Sequence, residues 1–284
     1  DSSSVFNSAF AFINAQWLAG NYGINTVMCE GKYKWLSQVT MPLCARLRGN
    51  GYVTILTDVT GSALKLDYLS QQLPADFDGN KQDWQYAELI NFDQGGLFKN
   101  IGTDLTNTCI EIGRDENLGN TYPYCRYKLC NFRIYNYNIG ILHNKYNVFL
   151  GKYENISFET NVTGVQFCVS PTTSTNSGEN MTFINCLFAS GTNGILWNTA
   201  GWDVSIINTS FDFLTNCFNK AASTGYGKIS VTDSHFEGFT YIAKGFKQFD
   251  VITISQCTLM FQRNGNIFDD INTTQNGSYI SFEN

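Results

Sequence analysis

Asp212, His235 and Glu237 are the residues of this chain whose types and spacing suit catalysis. They sit in two similar segments, TSFDF (209–213) and SHFEG (234–238), 25 residues apart. In each, alternating side chains flank a central Phe, so one side buries the Phe and the other presents its neighbours. Laid coil over coil, the outward places hold Leu187 and Ala189, Ser210 and Asp212, His235 and Glu237, then Thr258 and Met260. If these segments are neighbouring parallel strands, Asp212 and Glu237 lie one strand spacing apart, ~4.8 Å. Two carboxyl groups that close suit a retaining glycosidase, with one as acid and the other as nucleophile. Like charges at that distance favour keeping one proton between them, which an acid catalyst needs. Ala189 leaves room for a ring on the next rung, and Ser210 and Glu159 complete the polar face. For Glu159 the register read here gives Tyr135 and Ile184 as rung neighbours. His235 beside the pair leaves a second chemistry open, a lyase with His235 as base acting on a uronate. A third possibility is a face that binds glycan without cutting it.

The elements that must hold these residues form a repeat. Segments starting at Phe132, Ile156, Met181, Val204, Ile229, Ile252 and Ile280 read FRIYN, ISFET, MTFIN, VSIIN, ISVTD, ITISQ and ISFEN. Alternation over β-branched and aromatic residues predicts a strand with one buried face. The fifth place, usually Asn or Asp, predicts a bend in the left-handed region. Three places after it an apolar residue recurs as Ile139, Phe188, Phe211, Phe236 and Leu259. A unit this short cannot bury its apolar face alone, whereas stacked units can. The prediction is therefore all-β, a right-handed single-stranded parallel β-helix. It places Phe158, Phe183, Ile206, Val231, Ile254 and Phe282 in one buried stack. Leucine-rich repeats would show LxxLxL, and a β-sandwich would show Asn-Gly turns at shorter spacing. Neither pattern is present.

Composition narrows the function. The net charge is −6 and hydrophobic residues make up 43%, which leaves no basic patch for nucleic acid and a sizeable core. No apolar run reaches the ~20 residues of a membrane span. The 9 cysteines include no CxxC pair and there are only 2 histidines, so no zinc site and no cofactor is expected. Buried free thiols suit folding in a reducing cytoplasm. A face of outward Ser, Thr and Ile argues against calcium-dependent lyase chemistry. The sequons at Asn155, Asn161, Asn180, Asn208, Asn272 and Asn276 follow from an Asn- and Ser/Thr-rich repeat and carry no weight.

At the N-terminus, Phe6, Phe10, Ile13 and Trp17 form one apolar stripe, predicting a helix over 3–19 capped by Ser3 or Ser4 and followed by Gly20. It would cover the open end of the stack. Residues 26–56, TVMCEGKYKWLSQVTMPLCARLRGNGYVTIL, carry a resemblance. Strand Thr26-Val27-Met28, turn Gly31-Lys32-Tyr33, strand Val39 to Pro42, corner Leu47-Arg48-Gly49-Asn50-Gly51 and strand Thr54-Ile55-Leu56 resemble the opening segment of the pectate-lyase-like β-helix superfamily. The departure is Cys29-Glu30, where that family has an apolar residue and a Pro. Within the superfamily the acidic, Asn-rich, Cys-containing coils most resemble tailspikes of tailed bacteriophages. That resemblance implies a homotrimer that binds, and usually cleaves, a bacterial surface polysaccharide (capsule or O-antigen). It implies residence on the virion tail beside other tail or baseplate proteins, after folding in the host cytoplasm. It also implies a head-binding region before residue 1 and a trimerisation region after residue 284; no signal-peptide pattern opens the sequence. The whole of 1–284 is read as one domain, with an irregular excursion at 57–108 and regular coils at 109–284. Within the excursion, Asp76, Asp78, Asp83, Glu88, Trp84 and Tyr86 would wall a groove. SPTTSTNSGE (170–179) reads as a polar loop. GTNGILWNTAGWD (191–203) reads as an inserted loop whose Trp197 and Trp202 would stack on sugar rings.

Overall fold

The protein is described from a computed structural model, which covers residues 1–21, 23–67, 87–113, 125–144, 146–168, 176–177, 179–198, 201–221, 226–246, 250–261, 265–269 and 279–283. It is all-β with one helix. Its strands join a single long sheet, and every pairing among the described residues is parallel, an arrangement compatible with a parallel β-helix.

Three ladders run through the molecule, each built by residues that recur coil after coil. The first carries Tyr153, Phe183, Ile206, Val231 and Ile254 in direct register. The second carries Phe158, Phe188, Phe211, Phe236 and Leu259. The third carries Ile141, Val165, Ile195, Phe218 and Ala243. Apart from the half-buried Leu259, all of these are buried. In the second ladder the rings stack face to face, with centroids 4.6 Å apart from Phe158 to Phe188, 5.0 Å from Phe188 to Phe211 and 5.1 Å from Phe211 to Phe236. Each buried Phe contributes ~1.5–3 kcal/mol by leaving water, and each ring pair ~0.5–1.5 kcal/mol beyond that.

The bends between ladders carry the predicted left-handed residues, and two kinds of them flank the second ladder. Asn131, Asn155, Asn185, Asn208, Asp233 and Gln256 turn the chain from first ladder to second, all with φ between 47° and 66°. Asn136, Thr160, Ser190, Phe213 and Gly238 turn it out of the second ladder, again with positive φ. This corrects the predicted register at two repeats. FRIYN and ISFET end at the second kind of bend and belong to the second ladder. Tyr153, not Phe158, is therefore the ladder partner of Phe183, and Ile139 lies in the third ladder opposite Thr163. Asn is favoured at the first bend for its own side chain as well as its backbone. Asn155 Nδ2 donates to Asn131 Oδ1 (3.0 Å), Asn131 Nδ2 to Asn91 Oδ1 (2.9 Å), and Asn208 Nδ2 to Asn185 Oδ1 (2.7 Å).

The helix spans Ser3–Leu18 and buries the four stripe residues. Phe6 meets Tyr33 and Trp35 edge-on, each at 5.1 Å, so the helix covers the first coil. Its cap differs from expectation. Ser3 lies in the first turn, and Asp1 Oδ1 accepts from Ser3 N (2.9 Å) and Ser3 Oγ (2.6 Å). The 57–108 window is more regular than predicted. Strands Ser62–Asp67, Ala87–Phe92 and Gly96–Asn100 extend the ladders through it. Asp76, Asp78, Asp83, Trp84 and Tyr86 lie outside the described residues, as does most of 170–179. The eight cysteines whose side chains are described form no disulfide. Burial pushes the Cys186 thiol up to about 12, so it packs rather than reacts.

Candidate functional site

The second ladder presents two outward rows. One runs Leu97, Arg133, Ser157, Leu187, Ser210, His235, Thr258, and the other Lys99, Tyr135, Glu159, Ala189, Asp212, Glu237, Met260. Asp212 and Glu237 are direct partners, as are Ser210 and His235. Stacking of Phe211 on Phe236 beneath fixes that spacing, so the buried rings set the geometry of the outward-facing acids. Carboxylate and imidazole atoms of Asp212, His235 and Glu237 lie within 4.8 Å of one another, and all three side chains are half-buried. His235 Nε2 stands 3.4 Å from Glu237 Oε2, and Ser210 Oγ donates to Asp212 Oδ1 at 2.7 Å. His235 and Ser210, with Asn185, Asn208, Thr209 and Asp233, line a depression of about 270 Å³.

Several acids on the stack are ion-paired. Glu88 pairs with Arg48 (3.4 Å) and Lys128 (3.3 Å), and Glu111 with Lys65 (3.5 Å). Glu154 pairs with Lys128 (3.0 Å) and Lys152 (3.4 Å), and Glu159 with Arg133 (2.6 Å). The Lys128 hydrogen bond, above other causes, holds the Glu154 carboxyl below its ordinary range. Among the described residues, Asp212 and Glu237 have no lysine or arginine partner.

Other expectations need correction. The rung neighbours of Glu159 are Tyr135 and Ala189; Ile184 faces Glu154 instead. Glu159 therefore stands in the same row as Asp212, two rungs away across Ala189. Residues 191–197 are not a loop. They complete strand Leu187–Trp197, and Trp197 is fully buried in the third ladder, stacked on Phe167 at 5.9 Å. A sugar cannot reach it. The Gly and Asn residues that suggested a loop serve the ladder: a Cβ at Gly194 would meet Cys217 O at 2.6 Å. Trp202 falls in strand Gly201–Ile207 of the first ladder, opposite Gly227; its side chain is not among those described.

Phe213 was not singled out in the sequence. It follows Asp212 at the second bend, is 53% exposed and has φ 54°. Its equivalents are Asn136, Thr160, Ser190 and Gly238, residues that tolerate or suit such a bend. A bulky aromatic there costs about 1–3 kcal/mol of backbone strain. The available signal was a Phe in a column of turn residues, legible only once two bends per coil were recognised.

No family model matches the chain.

Proposed function

We propose that this chain is the body of a bacteriophage tailspike, a right-handed parallel β-helix that binds a bacterial surface polysaccharide and hydrolyses it. The observation that carries the proposal is the Asp212–Glu237 pair. Their closest oxygens fall within 4.8 Å, close to the ~5–5.5 Å that separates acid and nucleophile in retaining glycosidases. One carboxyl protonates the leaving oxygen. The other attacks the anomeric carbon, and water then releases the glycosyl group. His235 orients Glu237 through their 3.4 Å contact. Ser210 orients Asp212, and the exposed ring of Phe213 offers a face to the sugar.

Assembly as a homotrimer is part of the same proposal. Ile184 and Ile207 are ladder partners on the outer side of the first ladder, where adjacent apolar side chains favour contact with a neighbouring subunit. Virion attachment and contacts with other tail or baseplate proteins follow from the resemblance alone.

The test is product analysis on purified capsule and lipopolysaccharide. New reducing ends without added ultraviolet absorbance support hydrolysis. An unsaturated uronate signals a lyase with His235 as base. Binding without released oligosaccharide signals an adhesin.

A further inference from the structure

About three rungs N-terminal to Ser210 on the same outward row, ~14 Å along the stack, lies a depression of about 290 Å³. Tyr52, Asp93, Gly95, Asn131, Arg133, Asn155 and Ser157 line it. We propose that it is a second saccharide subsite, one that takes a neutral sugar residue. The proposal rests on the polysaccharide reading above for its ligand class, but not on cleavage.

Its size sits at the small end for ligand sites and suits a single ring rather than an extended chain. Tyr52 supplies the apolar face. The side chain is 51% exposed, and the ring lies against Gly95, where an added Cβ would meet it at 3.7 Å. One edge is thereby fixed while much of the ring remains open to solvent. An aromatic ring held this way stacks on the CH face of a pyranose at small entropic cost.

The polar groups match sugar hydroxyls. Asn155 spends its amide NH₂ on Asn131. Among the described residues its Oδ1 and Ser157 Oγ bond nothing else, so both are available as partners. Charge decides the class of sugar. Arg133 commits Nε and Nη2 to Glu159, at 2.9 and 2.6 Å. That bond, more than any other cause, raises Arg133 above its ordinary value, with Tyr52 and Tyr135 contributing less. Asp93 adds a second carboxylate to the rim. Lys99, 5.4 Å over the Tyr135 ring beside Arg133 and Glu159, adds a second cation, so the charges balance and no net positive charge is left to hold a uronate. Beyond Arg133 and Lys99, neither outward row carries a lysine or arginine as far as Thr258 and Met260.

The experiment is saturation-transfer difference NMR on the intact chain with glucose, rhamnose, N-acetylglucosamine and glucuronic acid as separate probes. Wild type is expected to transfer saturation to at least one neutral sugar and not to glucuronic acid. Tyr52→Ala, an exposed change that leaves the core intact, is expected to abolish transfer. The Asp212→Asn/Glu237→Gln double variant is expected to keep it. Transfer that survives Tyr52→Ala, favours glucuronic acid, or is absent for every neutral sugar overturns the subsite. If the double variant binds as wild type does but wild type never releases oligosaccharide, cleavage fails and the subsite stands.

Discussion

Asp212 and Glu237 are partners across adjacent strands, 25 residues apart in sequence, and the rings of Phe211 and Phe236 beneath them, stacked with centroids 5.1 Å apart, hold that register. The site is therefore as rigid as the core under it. Asp212→Asn and Glu237→Gln keep shape and remove the proton chemistry. On the proposed hydrolysis, each should lower turnover of the polysaccharide by ~10²–10⁴ while leaving its binding nearly intact, because the interaction removed would belong to the transition state. Steady-state kinetics beside a binding isotherm check this. Near-full activity in both variants would move the chemistry elsewhere, with Glu159 the next acid in the row.

Phe213 combines positive φ with an exposed ring, a local cost without a packing gain of matching size. Phe213→Gly should raise stability by about 1 kcal/mol, since glycine adopts that backbone freely. The same change should weaken glycan binding if the ring is a platform. Thermal unfolding and affinity should thus move in opposite directions. A variant less stable than wild type would show that the ring packs more than its exposure implies.

Lys220 and Asp250 form an ion pair at 2.8 Å, almost wholly out of water. Asp250→Ala should destabilise by ~3–5 kcal/mol, because it strands a buried ammonium. Lys220→Met combined with Asp250→Leu should recover most of that loss. Denaturant midpoints of Lys220→Met, Asp250→Leu and the double variant form the required cycle. If both single variants match wild type, water reaches the pair.

The repeats from Met181 onward were readable because each coil there offers one clear alternating strand ending in Asn, Asp or Gln. The pairing of Asp212 with Glu237 followed from them. The earlier repeats misled because both bends demand the same αL conformation. FRIYN and MTFIN look alike locally though they occupy different ladders, and only the partner strand tells them apart. Trp197 was misread for a related reason. Gly and Asn beside it resemble loop composition, yet Gly194 and Asn193 are there for close coil-to-coil approach. Asn193 Nδ2 donates to Thr163 Oγ1 at 3.2 Å. Tyr52 and Arg133, two coils apart along the chain, come to line one depression only through stacking, which local pattern does not encode.

His143 gives the chain a specific acid sensitivity. It is fully buried among Tyr127, Tyr153 and Phe167, and burial lowers its pKa to about 3. In the unfolded chain the same imidazole titrates near ~6.5. Above that pH neither state holds the extra proton, and His143 makes no difference to stability. As pH falls from ~6.5 toward 3 the unfolded chain takes up a proton that the folded chain refuses. Stability then drops by up to about 1.4 kcal/mol per pH unit from this group. His143→Phe fills the same space beside Phe167 and does not titrate, while Tyr127 and Tyr153 keep their mutual hydrogen bond. The variant should match wild type above pH 7 and unfold at a higher denaturant concentration than wild type at pH 4.5. Carboxylates titrating in the same window act on both proteins alike, so the difference between the two curves isolates the histidine. Parallel curves from pH 7 to 4.5 would mean that His143 is protonated in the folded state, with one of the tyrosine oxygens accepting the proton's hydrogen bond.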